Sequence, residues 1–267
     1  MSEVKRLGVV TAYEFLKHVR RKRLYVILLL VLITEAAVLI GFPALLNGFP
    51  DNVKLMAAML SVGPSMAVIG AIFFSGDAIA GEFESKSGFM LFTNPVKRTT
   101  LVLGKYIAAC IAVAILVIFG YLIVCLSLFV IYQEIPPETA QSFGLCLLYG
   151  ACVVAFTFLF SSVSKGAMGA TVITLVVIMV ISGVIESVLM LADKPYWFLI
   201  STAGDSITTV YGGMELILAG FMPLEEMHNF PFEIESPDIG RSILAMIVYL
   251  ALGLISSLII TNRRQLS

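Results

Sequence analysis

Residues 76 to 98 read GDAIAGEFESKSGFMLFTNPVKR, setting Asp77, Glu82 and Glu84 close ahead of Lys86, Lys97 and Arg98. Such a set makes ion pairs and a polar docking face rather than bond-breaking chemistry. The only histidines, His18 and His228, lie outside the apolar runs, so no base reaches Ser65 of the Gly63-Pro64-Ser65 triplet. Ser75-Gly76-Asp77 lacks the preceding Gly of an intramembrane aspartyl protease motif, and no H-E-x-x-H occurs. Gly104-Lys105 is the only Gly-Lys pair, is followed by Tyr106, and has no Gly at the required distance before it, so a phosphate-binding loop is absent. The chain is therefore expected not to be an enzyme and to bind no cofactor or metal. Two further carboxylates, Glu35 and Glu186, stand inside apolar runs, where an ionisable group is costly and marks function by default.

The elements that carry these residues are membrane helices. The 267 residues are 59% hydrophobic and 13% charged, about half the charge of an ordinary soluble domain. Six runs reach the roughly 20 apolar residues that a helix needs to cross a bilayer core: Leu24 to Leu46, Leu55 to Phe74, Leu101 to Ile131, Ala140 to Val163, Ala167 to Leu191 and Ser242 to Ile260. Pro64 reads as a kink in the second span, its freed carbonyl satisfied by neighbouring helices. Cys110, Cys125, Cys146 and Cys152 all fall within spans and read as small hydrophobes. The opening residues do not read as a cleavable signal peptide, so the first span is expected to stay.

Of the 17 Lys and Arg, all but Lys54, Lys194 and Arg241 fall on the side shared by the two termini. Basic residues are retained on the cytoplasmic face, which predicts a multi-pass protein of the cell membrane with both termini cytoplasmic. Glu225, Glu226, Glu233, Glu235 and Asp238 then cluster outside, in the segment 192–240. Within it SITTVYGGMELILAGF is apolar but too short to span, which predicts short re-entrant or interfacial helices, with Trp197 as an aromatic anchor. Residues 1–23 form a separate unit: Val9, Ala12, Tyr13 and Leu16 share one helical face with Thr11, Glu14, Lys17 and His18 opposite, and KHVRRKR, including Arg20, follows. The pattern predicts an amphipathic helix lying in the inner interface on membrane lipid, ahead of a transmembrane domain over 24–267.

The connector 76–100 carries its own local signals. Asp77 is a suitable N-cap, Ile79 and Phe83 lie four apart, and Glu82 and Glu84 point elsewhere, predicting a short amphipathic helix along the inner face. Asn94-Pro95 would cap and start the third span, whose basic end carries Lys97, Arg98 and Lys105. A plain tether needs none of this; the pattern suits either a solvated surface helix or a rigid part that receives a push from a soluble protein. The fifth span carries a second pattern: at 100° per residue Thr171, Thr174, Ser182 and Glu186 form one polar stripe. The stripe reads as interhelical hydrogen-bonding glue or as the lining of a pathway.

The run from Asp77 to Arg98, followed by Leu103-Gly104-Lys105, resembles the connector between the second and third spans of the ABC-2 family of ABC transporter permeases. Asp77, Glu82, Glu84, Ser87, Pro95, Arg98, Gly104 and Lys105 carry the likeness; Lys86-Ser87 stands where the family commonly has Gly-Thr, keeping the hydroxyl and losing the Gly. The resemblance implies an all-α, six-span permease subunit in which the connector is a coupling helix docked on a separate ABC-type nucleotide-binding subunit, with ATP and Mg on that partner. It further implies a dimer with a second permease copy, a pathway along the fifth span, alternating access, and export. Glu82 and Glu84 would contact the ATPase while Arg98 and Lys105 fix the connector to the third span. No nucleic-acid partner is expected. The alternative reading is a secondary transporter or channel that uses Glu35 and Glu186 for ion coupling.

Overall fold

The computed structural model describes residues 2–46, 48–61, 63–84, 97–213, 216–217 and 237–264, and among these every regular element is helical. α1 (Glu3–Arg20) ends in a tight turn in which Lys22 takes a left-handed φ of 57°, and α2 (Arg23–Leu46) follows at once. The second span is built from α3 (Val53–Leu60), α4 (Gly63–Ser75) and the short α5 (Ala80–Glu84). α6 (Arg98–Tyr132) and α7 (Glu138–Val163) are continuous. The fifth span comprises α8 (Ala167–Leu175), a π-helical stretch (Val176–Ile181) and α9 (Ser182–Leu191); α10 (Ile200–Thr209) and α11 (Ile239–Arg263) complete the chain. Six stretches are long and apolar enough to cross a membrane: Arg23–Ala44, Val53–Glu84, Arg98–Tyr132, Glu138–Val163, Ala167–Leu191 and Ile239–Arg263. The protein is an all-α polytopic membrane protein with the six expected spans.

α4, α6 and α7 form the centre, where Ile72, Phe74, Val113, Leu116, Val153 and Phe158 are buried. α2, α8, α9 and α11 surround it and turn apolar side chains outward, among them Leu29, Val172 and Leu252, as helices solvated by lipid do. Small residues set the closest crossings. A Cβ on Gly253 would come within 2.7 Å of the Ala155 backbone, which is why α11 lies so close to α7. At one end of the bundle Lys54 pairs with Glu138 at 2.5 Å and the Tyr132 hydroxyl donates to the Pro50 carbonyl at 2.6 Å. The other end carries α1, α5 and the close of α11.

Two sequence expectations change. The second span is broken, not merely kinked: α3 stops at Leu60 and α4 begins at Gly63. Pro64 has no N–H for the Leu60 carbonyl and its ring clashes with it, so the helix ends one turn before the proline and restarts with Pro64 in its first turn, where proline fits. The third span starts at Arg98, with extended Lys97 at its N-cap; Asn94 and Pro95 lie outside the described residues. Tertiary contacts hold its first turn, the Arg98 guanidinium donating to the Arg264 and Thr261 carbonyls at 2.9 and 3.5 Å. The fifth span is not a uniform 100° helix. Residues four apart drift by about 40° in an α-helix, yet Ala170, Thr174, Ile178 and Ser182 stay in one buried line because the π stretch, with i→i+5 bonding, unwinds the drift.

Within the outer segment α10 is packed among the spans rather than lying free. Ile200, Ala203 and Ile207 are buried, Gly204 sits against the Tyr149 ring, and the Ser142 hydroxyl links Tyr121 to the Ile207 carbonyl at 2.7 and 2.8 Å. α10 ends in a turn through Gly212 and Gly213, both at positive φ, a conformation glycine takes without cost. Glu225, Glu226, Glu233 and Glu235 lie outside the described residues.

Candidate functional site

The polar residues of the connector converge on α5, and most of them face inward. Lys105, two turns into α6, is 5% exposed and lies between two carboxylates, Glu14 Oε1 of α1 at 2.8 Å and Glu82 Oε1 of α5 at 2.5 Å. Glu14 also meets Lys17 at 3.3 Å. Burial pushes the Glu14 carboxyl up, but Lys105 and Lys17 outweigh it and hold the group below the usual carboxylate range. The approach of α1 to α6 that this triad needs is permitted by Gly104, since a Cβ there would stand 2.6 Å from Val10 Cγ1.

The rest of α5 is tied with equal economy. Its first N–H groups, on Ile79 and Ala80, donate to Ser161 Oγ of α7 at 3.1 and 3.0 Å, and that hydroxyl donates to the Gly76 carbonyl at 2.8 Å. One serine from another span thus does the work expected of Asp77 as N-cap. Asp77 is freed to bridge Arg21 at 3.2 Å and Arg23 at 2.8 Å, holding the foot of α2. Glu84 Oε2 accepts from the Ala167 N–H at 2.8 Å, placing a carboxylate at the first turn of α8, where the helix dipole favours negative charge. Phe83 lies under the Arg264 guanidinium, with Cζ 4.2 Å from the ring centroid, and Arg264 donates to the Ser162 and Ser164 carbonyls at 2.8 Å each. Gly76 allows Thr171 to sit directly on the turn before α5: a Cβ there would meet Thr171 Cγ2 at 2.3 Å.

The structure therefore brings together Asp77, Glu82, Glu84, Arg98 and Lys105, with Thr171 beside them. Glu82 points inward, against the expectation of an outward face, because the buried Lys105 neutralises Glu14 and Glu82 together. Glu84 remains exposed at the surface. Ser87 and Pro95 lie outside the described residues. On α1, Val9, Tyr13, Leu16 and Arg20 are exposed together, while Glu14 and His18 are buried. The polar side of this helix faces the protein, not water. His18 packs edge-on against Phe74 at 5.4 Å; burial pushes its imidazole down to about 4, against the opposing pull of Asp77 and Glu14.

The fifth-span stripe is divided. Thr171 and Thr174 return their hydroxyls to the carbonyls of Ala167 and Ala170 at 2.8 Å, and Ser182 reaches Val177 at 3.0 Å, so these groups are satisfied within their own helix. Glu186 accepts from Ser201 of α10 at 2.7 Å, far from the α5 hub. Glu35 is also remote from it, beside the break in the second span. Sequence reasoning missed Glu14, Ser161 and Arg264 as parts of the site and counted Arg21 and Arg23 only as retained positive charge. What the assembly offers chemically is a dense ionic and hydrogen-bonded junction that ties α5 to α1, α6, α7, α8 and α11.

The family model described as ABC-2 family transporter protein matches residues 9–254 of the chain. No curated protein matches it.

Proposed function

The chain belongs to the ABC-2 transporter family, and from that premise we propose that it is the permease subunit of an exporter driven by a separate ATP-binding subunit seated on the connector around α5. The observation that carries this reading is the reach of one five-residue helix. Glu82 ties it to α6, Ser161 to α7, Glu84 to α8, and Phe83 through Arg264 to the end of α11. Chain continuity joins it to α4, and Asp77 just before it grips the foot of α2. A displacement of α5 is thereby applied to all six spans at once, which is what a transmission needs and a surface tether does not.

In the proposed cycle both termini lie in the cytoplasm, two permease copies pair in the cell membrane, and each seats one ATP-binding subunit that carries the ATP and Mg. ATP binding draws the motors together, and α5 passes that motion to the spans, switching a central pathway between inward and outward access. The contact surface on the connector is the Glu84 edge with the residues that follow it, since Glu82 is committed to Lys105. The pathway runs along the fifth span, with Glu186 its one half-buried carboxylate. Gentle purification tests the core of this reading: a second chain carrying a phosphate-binding loop accompanies the protein, and its ATP hydrolysis is stimulated by it. Glu84→Ala, which releases the first turn of α8 and alters the contact edge, loses most of that stimulation. Isolation of the chain with no such partner, or full stimulation by Glu84→Ala, would refute it.

A further inference from the structure

Between α9 and α10 the chain runs through Pro195, Tyr196 and Trp197. Together with Thr202 of α10 and with Asp238 and Arg241 at the start of α11, these residues line a cavity of about 330 Å³, a volume typical of small-ligand sites. The cavity lies at the end of the bundle away from α5. α11 closes beside Arg264, which stacks on Phe83 of α5, and its 25 residues rise about 37 Å, more than the roughly 30 Å of hydrocarbon. Its first turn therefore stands at headgroup depth, where Trp and Tyr are favoured.

Three polar groups in the lining keep bonding capacity. Thr202 is 2% exposed and its hydroxyl has no partner among the described residues, a costly state for a buried donor. Asp238 Oδ1 accepts from the Gly240 N–H at 2.8 Å as the cap of α11, while Oδ2 stands 3.8 Å from Arg241 Nε. That pair is loose and both side chains are 62% exposed, so one carboxylate oxygen and the guanidinium remain able to take a ligand. Leu244, Val248, Leu252, Ile255 and Ile259 follow Arg241 at helical spacing, within an arc of about 80°. All five are between 46% and 58% exposed, so an apolar track leads from the guanidinium down the span. A soluble ligand has no use for such a track; an acyl chain does.

The lining holds one acid and one base, which suits a headgroup carrying both signs better than a plain anion. We propose that this cavity binds the headgroup of a zwitterionic phospholipid with a primary ammonium, of the phosphoethanolamine type. Arg241 and the Thr202 hydroxyl donate to its phosphate. The ammonium donates to Asp238 Oδ2 beside the Trp197 ring, and one acyl chain lies along the track on α11. The bound lipid joins the turn after α9 to α10 and α11. The site depends neither on the transported substrate nor on the identity of the motor.

Native mass spectrometry tests this on the whole protein in mild-detergent micelles containing equal amounts of phosphatidylethanolamine, phosphatidylcholine and phosphatidylglycerol. Phosphatidylethanolamine should be retained ahead of the other two. Arg241→Gln should lower its retention by about tenfold, the weight of one charge-assisted hydrogen bond, and Thr202→Val should lower it as well. Asp238→Asn keeps the helix cap and should erase the preference over phosphatidylcholine without abolishing binding. Glycerophosphoethanolamine, the headgroup without its chains, should fail to displace the lipid at equal concentration. Equal retention of the three lipids, or unchanged retention in Arg241→Gln, overturns the proposal. So does displacement by the free headgroup, which would make this a site for a soluble phosphate compound. A variant that alters only the proportion of paired copies also overturns it, by making this face a contact between copies. Should Thr202→Val fail to fold, the exposed Arg241 and Asp238 decide the matter.

Discussion

Replacing Lys105 by Met keeps the length and apolar stem of the side chain and removes its charge. Glu14 and Glu82, each with 11% of its side chain exposed, are then left facing one another across the space the ammonium held. Removing one partner of a buried pair costs about 3–5 kcal/mol; Lys17, 3.3 Å from Glu14 and a third exposed, compensates part of this, so about 3 kcal/mol is expected. For a chain of this size that corresponds to a fall of roughly 6–12 °C in the unfolding midpoint. A thiol-reactive dye reads the transition in detergent, because Cys146 and Cys152 are fully buried until the bundle opens. The triple variant Glu14→Gln, Glu82→Gln, Lys105→Met replaces every charge by a neutral group of similar shape and should recover most of the loss. A shift under about 2 °C for Lys105→Met, or a triple variant no more stable than the single one, would show that α1, α5 and α6 are not held by this triad.

His18 and Gly104 give two further tests. In the folded chain His18 takes a proton only near pH 4, whereas unfolded it does so near 6.5; the unfolded state therefore binds more protons in between, and stability present above pH 6.5 is lost as pH falls toward 4, by at most about 3 kcal/mol. The unfolding midpoint should drop between neutral and acid pH in wild type and change less in His18→Phe, which keeps the packing on Phe74. Gly104→Leu drives a side chain into Val10, a crowding that costs about 1–3 kcal/mol. Released from α6, α1 should let trypsin cut faster at Arg20 to Arg23, while Gly104→Ala gives a smaller effect of the same sign.

The spans were legible because twenty successive apolar residues have few other uses, and the connector because charges are rare enough in this chain to stand out. What the sequence hid has a common cause. A five-residue helix has too few positions for its pattern to say which face is inward, so the direction of Glu82 waited on Lys105, 23 positions away in the chain. Ser161 lies in FSSVSKG and reads as the ordinary close of a span; nothing local announces that it caps a helix 82 positions earlier. Glu14 was assigned to the polar side of α1, correctly, but periodicity cannot say whether that side meets water or protein. The π stretch VVIMVI is apolar all round and looks the same at either helical period. Pro64 announced an interruption, and its place one turn earlier follows only from the clash with Leu60.

α6 runs for 35 residues without proline, about 52 Å of rise against about 30 Å of hydrocarbon. Under the proposed function it would act as a strut, joining Lys105 at the connector to Tyr132, whose hydroxyl donates to the Pro50 carbonyl at the far end. α4, joined to the same point through the backbone, is interrupted before that side, where α3 ends at Leu60. The two load paths leave the same point with unequal stiffness, so under the proposed function a straight push at the connector would arrive at the far face as a shear between its first loop and the tip of α3.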